Sequence, residues 1–255
     1  MKPTLLTLSV LAVAPSWLLL ATESAPDAGS GAVEDPSHFR IAERGQDFAV
    51  YQRLTAMTNA EGLVCFRTNQ FTLLENGLHW YDQAAGEWKE SQDLIESFPE
   101  GAIARYGPVR AIFAHDLNAE SVFDLETPEG VRLRGGVRAL EWLNELTGER
   151  VLLATVNARA PLELVPPNRL VARDAFDGLR ADVMLEWRRN RFSQSVVLLE
   201  TPLLPEGWEA DPVRLAVITE FIDAPEPEIN RVQIVTDGAL ETEDHLSIGF
   251  GGSRS

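Results

Sequence analysis

Residues 174–200 read DAFDGLRADVMLEWRRNRFSQSVVLLE, and this stretch decides the fold class of the chain. Apolar side chains alternate with others from 181 to 187 and again from 192 to 198, and the polar run Arg188-Arg189-Asn190-Arg191 separates the two halves. Successive side chains of a β-strand point to opposite faces, so this pattern predicts a β-hairpin. We expect a central, mostly buried strand pair with these core-facing residues: Val183, Leu185, Trp187, Val196 and Leu198.

The rest of the chain has the same texture, with short apolar runs separated by turn residues. The predicted strands are 63–66, 71–75, 78–82, 103–106, 110–114, 131–133, 151–156, 170–173, 213–221 and 229–236. The predicted turns lie at Asn76-Gly77, Glu129-Gly130, Gly135-Gly136 and Asp237-Gly238. Turn signals about every ten residues are typical of all-β proteins. We therefore predict an all-β, mostly antiparallel fold, a β-sandwich or stacked-sheet domain with little helix.

Two segments resemble each other at an offset of 62 residues. Residues 77–88 read GLHWYDQAAGEW and residues 139–150 read ALEWLNELTGER, so that Leu, Trp, Asp or Asn, and Gly-Glu coincide. A strand, an Asp or Asn turn and a glycine suited to positive φ are typical of a hairpin. Helical spacing of the apolar residues in 139–146 is a rival interpretation, and 91–98 fits a short helix before Pro99. We interpret both repeats as hairpins.

The chain begins with features of a secretory signal peptide. Lys2 precedes an apolar run over 5–21, which Pro15 interrupts, and small residues follow at 22–25. A transmembrane anchor is the alternative, but the run is near the lower length limit for spanning. We predict a signal peptide at 1–24, a flexible linker at 25–47, a β-rich domain at 48–248 and a flexible tail at 249–255. A subdomain break is expected near Pro166-Pro167. The predicted location is extracytoplasmic, with no stable membrane span after signal cleavage.

The net charge disfavours one class of partner, and the cysteine content excludes internal disulfides. The 255-residue chain has a net charge of −17, with its acidic residues scattered between apolar ones. Such a surface is well solvated, and it disfavours nucleic acid as a partner because phosphate binding needs clustered Lys and Arg. Cys65 is the one cysteine, so no internal disulfide can form. Its apolar neighbours predict a buried, inert thiol.

No familiar catalytic motif is present. The chain contains no GxSxG elbow, P-loop, GxGxxG or HExxH sequence, and its histidines are far apart: His38, His79, His115 and His245. Acidic residues surround glycines in two turns, Asp174, Asp177 and Asp182 in one, and Asp237, Glu241, Glu243 and Asp244 in the other. Calcium prefers such oxygen ligands, and the first group is a weak calcium candidate, although turn chemistry explains both groups as well. We assign no catalytic residue, no metal ligand beyond that candidate and no cofactor.

Three aromatic residues of the first repeat are the candidate binding residues: Trp80, Tyr81 and Trp88. Adjacent strand residues point to opposite faces, so Trp80 and Tyr81 must lie on different sides of the hairpin. An exposed Trp or Tyr would suit stacking on a sugar ring or a protein contact. The alternative is that these rings fill a core.

Four segments carry a resemblance to a known class of protein: LLENGLHWYDQAAGEWKES, PEGAIARYGPVRAIFAHDLN, LVPPNRLVARDAFDGLRADV and VLLETPLLPEG. They resemble the uncharacterised N-terminal β-rich domain of large exported proteins of Verrucomicrobia and Planctomycetes, over roughly residues 48–236. The hairpin of 174–200 is also similar to the module that precedes repeats in RHS-type and wall-associated proteins, through Phe176, Gly178, Asp182 and 196–198. The resemblance implies an extracytoplasmic β domain and assigns no activity or catalytic residue.

These features favour an exported, non-catalytic β-rich module for adhesion, envelope assembly, or glycan or protein binding. Its expected partner is a polysaccharide or another envelope protein. One alternative is a polysaccharide hydrolase or lyase on a β-sandwich, which would need a cleft with two facing carboxylates or a Tyr/His pair. The other is a capping domain of a larger repeat protein, which would present an open, apolar sheet edge.

Overall fold

The computed structural model describes residues 20–22, 38–224, 228–236 and 239–247, with side-chain surroundings for 38–224. Every regular element in these residues is a β-strand, and all strand pairs are antiparallel. The predicted all-β fold class is confirmed. The chain divides into a smaller unit, Ala12–Gln92 with Tyr106–Pro108, and a larger unit made of Met1–Leu11, Asp93–Arg105 and Val109–Ser255.

The smaller unit contains a four-stranded sheet and a separate two-stranded hairpin. Its strands are β1 (Leu20–Thr22), β2 (Arg40–Gly45), β3 (Phe48–Thr58), β4 (Val64–Leu74), β5 (His79–Asp82) and β6 (Glu87–Glu90). The sheet has the order β1-β4-β3-β2, and β5 pairs with β6. The long β3–β4 hairpin forms the middle of the sheet, and each flanking strand pairs with only part of it.

The larger unit contains three sheets. Its strands are β7 (Glu96–Phe98), β8 (Gly101–Ala104), β9 (Arg110–Phe113), β10 (Phe123–Glu126), β11 (Arg132–Asn144), β12 (Arg150–Thr155), β13 (Glu163–Val165), β14 (Arg169–Ala172), β15 (Ala181–Arg188), β16 (Arg191–Leu198), β17 (Val213–Ile222), β18 (Glu228–Thr236) and β19 (Ala239–Ser247). The seven-stranded sheet has the order β12-β11-β10-β9-β8-β7, with β17 along the other edge of β11. The second sheet has the order β13-β14-β15-β16, and β18 pairs with β19.

One apolar core joins the first two of these sheets. Phe113, Val137 and Leu140 from the seven-stranded sheet belong to the same buried cluster as Leu185 and Trp187 from the four-stranded sheet. The Phe192 ring lies 4.8 Å from the Phe123 ring, and Gln194 Nε2 donates to Thr219 Oγ1 at 2.9 Å. Two antiparallel sheets that share an interior in this way form the stacked-sheet arrangement predicted from the sequence.

The hairpin of 174–200 forms as predicted, but only three of its five predicted core residues are buried. β15 pairs with β16 from Ala181↔Leu198 to Arg188↔Arg191, so that Arg189-Asn190 makes a two-residue turn. Val183, Leu185 and Trp187 are buried, but Val196 is only half-buried and Leu198 is 38% exposed. The expectation of a central pair is wrong for β16, because β16 is the edge strand of its sheet.

The predicted turn at Gly135-Gly136 is wrong, because β11 continues straight through it. These glycines allow close approach of other groups. A Cβ on Gly135 would lie 2.4 Å from the Glu220 carbonyl oxygen, and one on Gly136 would lie 2.3 Å from Val122 Cγ2. Glycine within a strand often marks such a contact.

Other boundaries also differ from the expectations. Strand β2 lies inside the predicted linker of 25–47, where it pairs with β3. The segment 91–98 forms no helix and ends in β7. Pro166-Pro167 is a cis peptide in the turn between β13 and β14 of one sheet, and the chain divides near Gln92 instead. The predicted tail at 249–255 lies outside the described residues, as does the predicted signal peptide except for β1.

Candidate functional site

The β5–β6 hairpin carries all three candidate binding residues, and its turn is built by local hydrogen bonds. The Asp82 carboxylate accepts the amides of Ala84 and Ala85 at 3.0 and 3.1 Å, and the Gly86 amide donates to the Asp82 carbonyl at 2.7 Å. Gly86 has a φ of 69°, which glycine adopts without a Cβ penalty. Asp and Gly therefore fix the loop that sets the strand register.

The hairpin is held to the four-stranded sheet of the same unit at its base. His79 is buried, and its Nδ1 lies 2.9 Å from the Gly45 carbonyl oxygen. Arg44 donates to the Trp88 carbonyl at 3.3 Å, and the Gly77 amide donates to the Asp47 carboxylate at 2.7 Å. These bonds fix the position of the hairpin on the sheet.

The two faces of the hairpin differ in chemistry. Tyr81 pairs directly with Trp88 on one face, and Trp80 pairs with Lys89 on the other, as the alternation predicted. The Tyr81 and Trp88 rings lie edge to face with centroids 5.3 Å apart. Trp80 instead packs against Tyr106 at 5.9 Å. Tyr81 is 42% exposed and both tryptophans are half-buried, so Tyr81 is the most accessible of the three candidates and Trp88 is its ring partner.

An ion pair lies on the Trp80 face. Lys89 Nζ donates to Asp82 Oδ2 at 2.6 Å. That hydrogen bond, together with those from the Ala85 and Ala84 amides, holds the pKa of Asp82 below its ordinary value, and the same bond raises the pKa of Lys89. Both groups stay charged at neutral pH, and the Glu87 carboxylate lies 4.0 Å from Lys89 Nζ on the same face.

The first calcium candidate is a turn and not a cage of ligands. Asp182 accepts the Asp174 amide at 2.9 Å and lies 3.8 Å from the Arg173 guanidinium. Asp174 has a φ of 44°, which short polar residues tolerate. Among the described residues, no three His, Cys, Asp or Glu side chains converge as a metal site would require.

The remaining candidates do not gather into a site in the described residues. His79 bonds to backbone as above, His115 bonds to the Pro99 carbonyl at 3.1 Å, and His38 is exposed. Asp237 lies outside the described residues, as do the side chains of Glu241, Glu243, Asp244 and His245. No helix of the described residues is long and apolar enough to cross a membrane.

Cys65 is exposed, which makes the prediction of a buried thiol wrong. Its apolar neighbours lie on the outer part of the β3–β4 hairpin, where large side chains are also exposed: Leu54, Met57, Leu63, Val64 and Phe66. Sequence reasoning missed this surface because it took 63–66 for a short core strand and did not predict β3. The signal was available: residues 54–66 contain a single charged residue, Glu61.

Searches against protein-family models, curated protein sequences and solved structures found no match to this chain. Function is therefore inferred from the chemistry and exposure of its side chains.

Proposed function

We propose that this chain is an exported, non-catalytic module that binds glycan through the Tyr81–Trp88 pair. The observation that carries the proposal is a cross-strand aromatic pair with its rings edge to face, of which Tyr81 is 42% exposed. Large aromatic rings are usually covered in a folded protein. Exposed Tyr81 next to half-buried Trp88 leaves apolar surface in contact with water, and a bound ligand would cover it.

The geometry suits a sugar ring. A pyranose has an apolar face of C–H groups, which packs on an aromatic face, and an equatorial rim of hydroxyls. An edge-to-face pair offers one ring as a floor and the other as a wall. Tyr and Trp combine an apolar body with a polar group, which favours sites that are partly wet. Exposed Glu90 lies two residues after Trp88 on the same face of the strand and can accept hydroxyl hydrogens.

Overall charge favours a neutral glycan. The net charge of −17 repels anionic polymers, and Lys89, the one Lys or Arg of the hairpin, is paired with Asp82 on the face opposite Tyr81 and Trp88. We therefore expect binding to neutral polysaccharides such as chitin, cellulose or xylan, and not to alginate or heparin.

Two carboxylates of the larger unit, Glu186 and Asp116, do not fit the role of a catalytic proton donor. Burial alone would raise the pKa of Glu186, but hydrogen bonds from Arg188 and Arg169 outweigh it and the pKa lies below its ordinary value. Burial would likewise raise the pKa of Asp116. Hydrogen bonds from Asn118 and Ala160 outweigh burial, so the pKa of Asp116 is also lowered. A glycosidase needs a carboxylic acid with a raised pKa as its proton donor, and neither group fits that role.

The test is a pull-down of the wild type on insoluble chitin, cellulose and xylan, followed by titration with soluble oligosaccharides. Tyr81→Leu with Trp88→Arg installs the residues that the second repeat has at these positions, Leu143 and Arg150, so the hairpin should still form. We expect the double variant to bind about 10-fold or more weakly, because two stacking rings are lost.

Met57→Leu is the matched control, since Met57 is 47% exposed in the same unit but lies outside the hairpin. It should bind as the wild type does. Unchanged binding by the double variant would refute the site, and release of reducing ends from any of these polymers would refute the non-catalytic role.

A further inference from the structure

The outer part of the β3–β4 hairpin forms an arm, defined as residues 53–69. Strand β2 pairs with β3 only over Phe48–Gln52, and β1 pairs with β4 only over Gln70–Thr72. Beyond these points, within the part of the chain that the structure describes, β3 and β4 pair only with each other. Asn59 closes the arm: its side chain accepts the amides of Glu61 and Leu63 at 3.0 and 2.9 Å.

The two faces of the arm differ in charge. The strand register places six uncharged residues on one face, here called the uncharged face: Leu54, Ala56, Thr58, Val64, Phe66 and Thr68. Leu54, Val64 and Phe66 are 43, 64 and 45% exposed. The opposite face carries Arg53 and Arg67, and its polar groups bond locally, with Asn69 Nδ2 donating to Thr55 Oγ1 at 3.0 Å.

An arm of this kind is incomplete as it stands. A two-stranded ribbon is only marginally stable in water, and it becomes stable when an apolar face is covered or further strands are added. Open strand edges also invite pairing with another chain. The arm is a two-stranded ribbon with open edges, and its uncharged face adds three large exposed side chains.

We propose that the uncharged face of the arm is a docking surface for a second copy of this chain, packed face to face about a twofold axis. A twofold interface places one patch against itself, so any charge on the patch would meet its own copy. The uncharged face has none. The chain as a whole carries −17, so most other surfaces would set acid against acid.

The chemistry of the arm disfavours other occupants. A partner recognised by charge would need ionic groups on the contact face, and these are on the opposite face. A lipid bilayer would be entered tip first, and the tip carries the Glu61 carboxylate beside exposed Leu63, so insertion would have to desolvate a charge. Two arms packed face to face would interdigitate Leu54, Val64 and Phe66 as the inner layers of two sheets do.

The primary test is sedimentation velocity from about 1 to about 100 µM, the range in which interfaces of moderate affinity dissociate. The wild type should be a dimer that dissociates on dilution. Phe66→Glu and Leu54→Glu should raise the dissociation constant on the order of 30-fold or more, as expected for central apolar anchors. Met57→Glu is the matched control, because Met57 is 47% exposed on the opposite face. It should dimerise as the wild type does.

The native cysteine gives a second measurement that needs no destabilising variant. Cys65 lies on the opposite face, so a nitroxide attached to it leaves the uncharged face free. Dipolar spectroscopy on the labelled wild type should show one narrow inter-copy distance, which disappears when unlabelled protein is in excess.

Three results would overturn the proposal. One is a wild type that stays monomeric across the whole concentration range. Another is equal loss of dimer in Met57→Glu and Phe66→Glu while circular dichroism shows both to be folded. The third is flotation of the wild type with phosphatidylcholine vesicles, lost in Phe66→Glu, which would identify a membrane as the occupant. These measurements do not involve Tyr81 or Trp88, so they are independent of glycan binding.

Discussion

The hairpins β5–β6 and β11–β12 have the same turn but different surroundings: β5–β6 is a separate two-stranded sheet, and β11–β12 belongs to the seven-stranded sheet. Asp82 and Asn144 each accept two backbone amides of the loop, at 3.0 and 3.1 Å in both cases. Gly86 and Gly148 donate to the carbonyls of those residues at 2.7 and 2.8 Å, with φ of 69° and 73°. The strand register is also the same, because Tyr81↔Trp88 corresponds to Leu143↔Arg150. Shared residues thus account for the turn.

The surroundings of the two hairpins account for their difference. β11 pairs with β17 along its other edge, whereas β5 and β6 pair only with each other among the described strands. The ring nitrogen of Trp142 donates to the Leu203 carbonyl at 2.9 Å, and Arg150 forms an ion pair with Glu141. In the first hairpin the residues that correspond to Leu143 and Arg150 are Tyr81 and Trp88, whose rings contact each other edge to face. One local motif therefore supports a sheet in one place and presents rings in the other.

Truncation of the equivalent leucines, Leu78 just before β5 and Leu140 within β11, should separate the two hairpins most strongly. Leu140 is fully buried in the main core cluster, and Leu78 is buried outside it. We expect Leu140→Ala to lower the free energy of unfolding by about 3 kcal/mol and Leu78→Ala by about 2 kcal/mol, because the larger core leaves the larger cavity. Differential scanning calorimetry would measure both. Leu146→Ala, at 83% exposure, should change little. A larger loss for Leu78→Ala would reverse the comparison.

Substitution of the turn glycines should affect both hairpins alike. Nothing lies within 4 Å of a Cβ placed on Gly148, and only the Tyr81 hydroxyl, at 3.9 Å, approaches one on Gly86. Alanine at either position should therefore cost about 1–2 kcal/mol through backbone strain alone. Urea unfolding would measure the loss. Asparagine tolerates positive φ and should cost less at both sites. Equal damage by alanine and asparagine would show that φ is not the cause.

Acid should loosen the first turn and leave the second unchanged. The pKa of Asp82 is lowered by the hydrogen bond from Lys89 and by those from the Ala85 and Ala84 amides. A carboxyl whose pKa is lower in the folded state stabilises that state above its ordinary pKa, and this contribution is lost as pH falls through the folded value. Asn144 does not titrate.

Amide hydrogen exchange from about pH 5 to about pH 2 would test this difference. The protection of the Ala85 and Gly86 amides should fall with pH, while that of Thr147 and Gly148 stays constant after correction for intrinsic rates. Asp82→Asn should abolish the pH dependence, because it keeps an oxygen that accepts the loop amides. A pH-dependent turn in that variant would assign the effect to another group.

Much of the fold could be predicted from local patterns. The hairpin of β15 and β16, both repeats and the all-β class follow from alternation and turn chemistry. Gly135-Gly136 shows where this reasoning fails, since the glycines make room for Glu220 on β17 and for Val122 just before β10, and neither is a neighbour in sequence. Strand β3 was missed because FAVYQRLTAMT mixes polar and apolar residues on both faces.

The candidate site was predicted in part. The sequence placed Trp80 and Tyr81 on opposite faces, and the structure adds that Tyr81 is the most accessible of the three candidates and Trp88 is its ring partner. Burial was the weak point, as Cys65 and Leu198 show. Both lie in apolar stretches, yet Cys65 is on the arm and Leu198 is on an edge strand.

The sequence by itself determined which residues form strands, which turns join them and which side chains share a face. These features depend on neighbours one to four positions away, through the two-residue period of a strand and the hydrogen bonds of Asp, Asn and Gly in a loop. Only the tertiary structure decided which faces are covered and which strand edges stay open. Those depend on pairings between segments far apart in sequence, and they separate β11, joined to β17, from the uncovered arm and the aromatic hairpin.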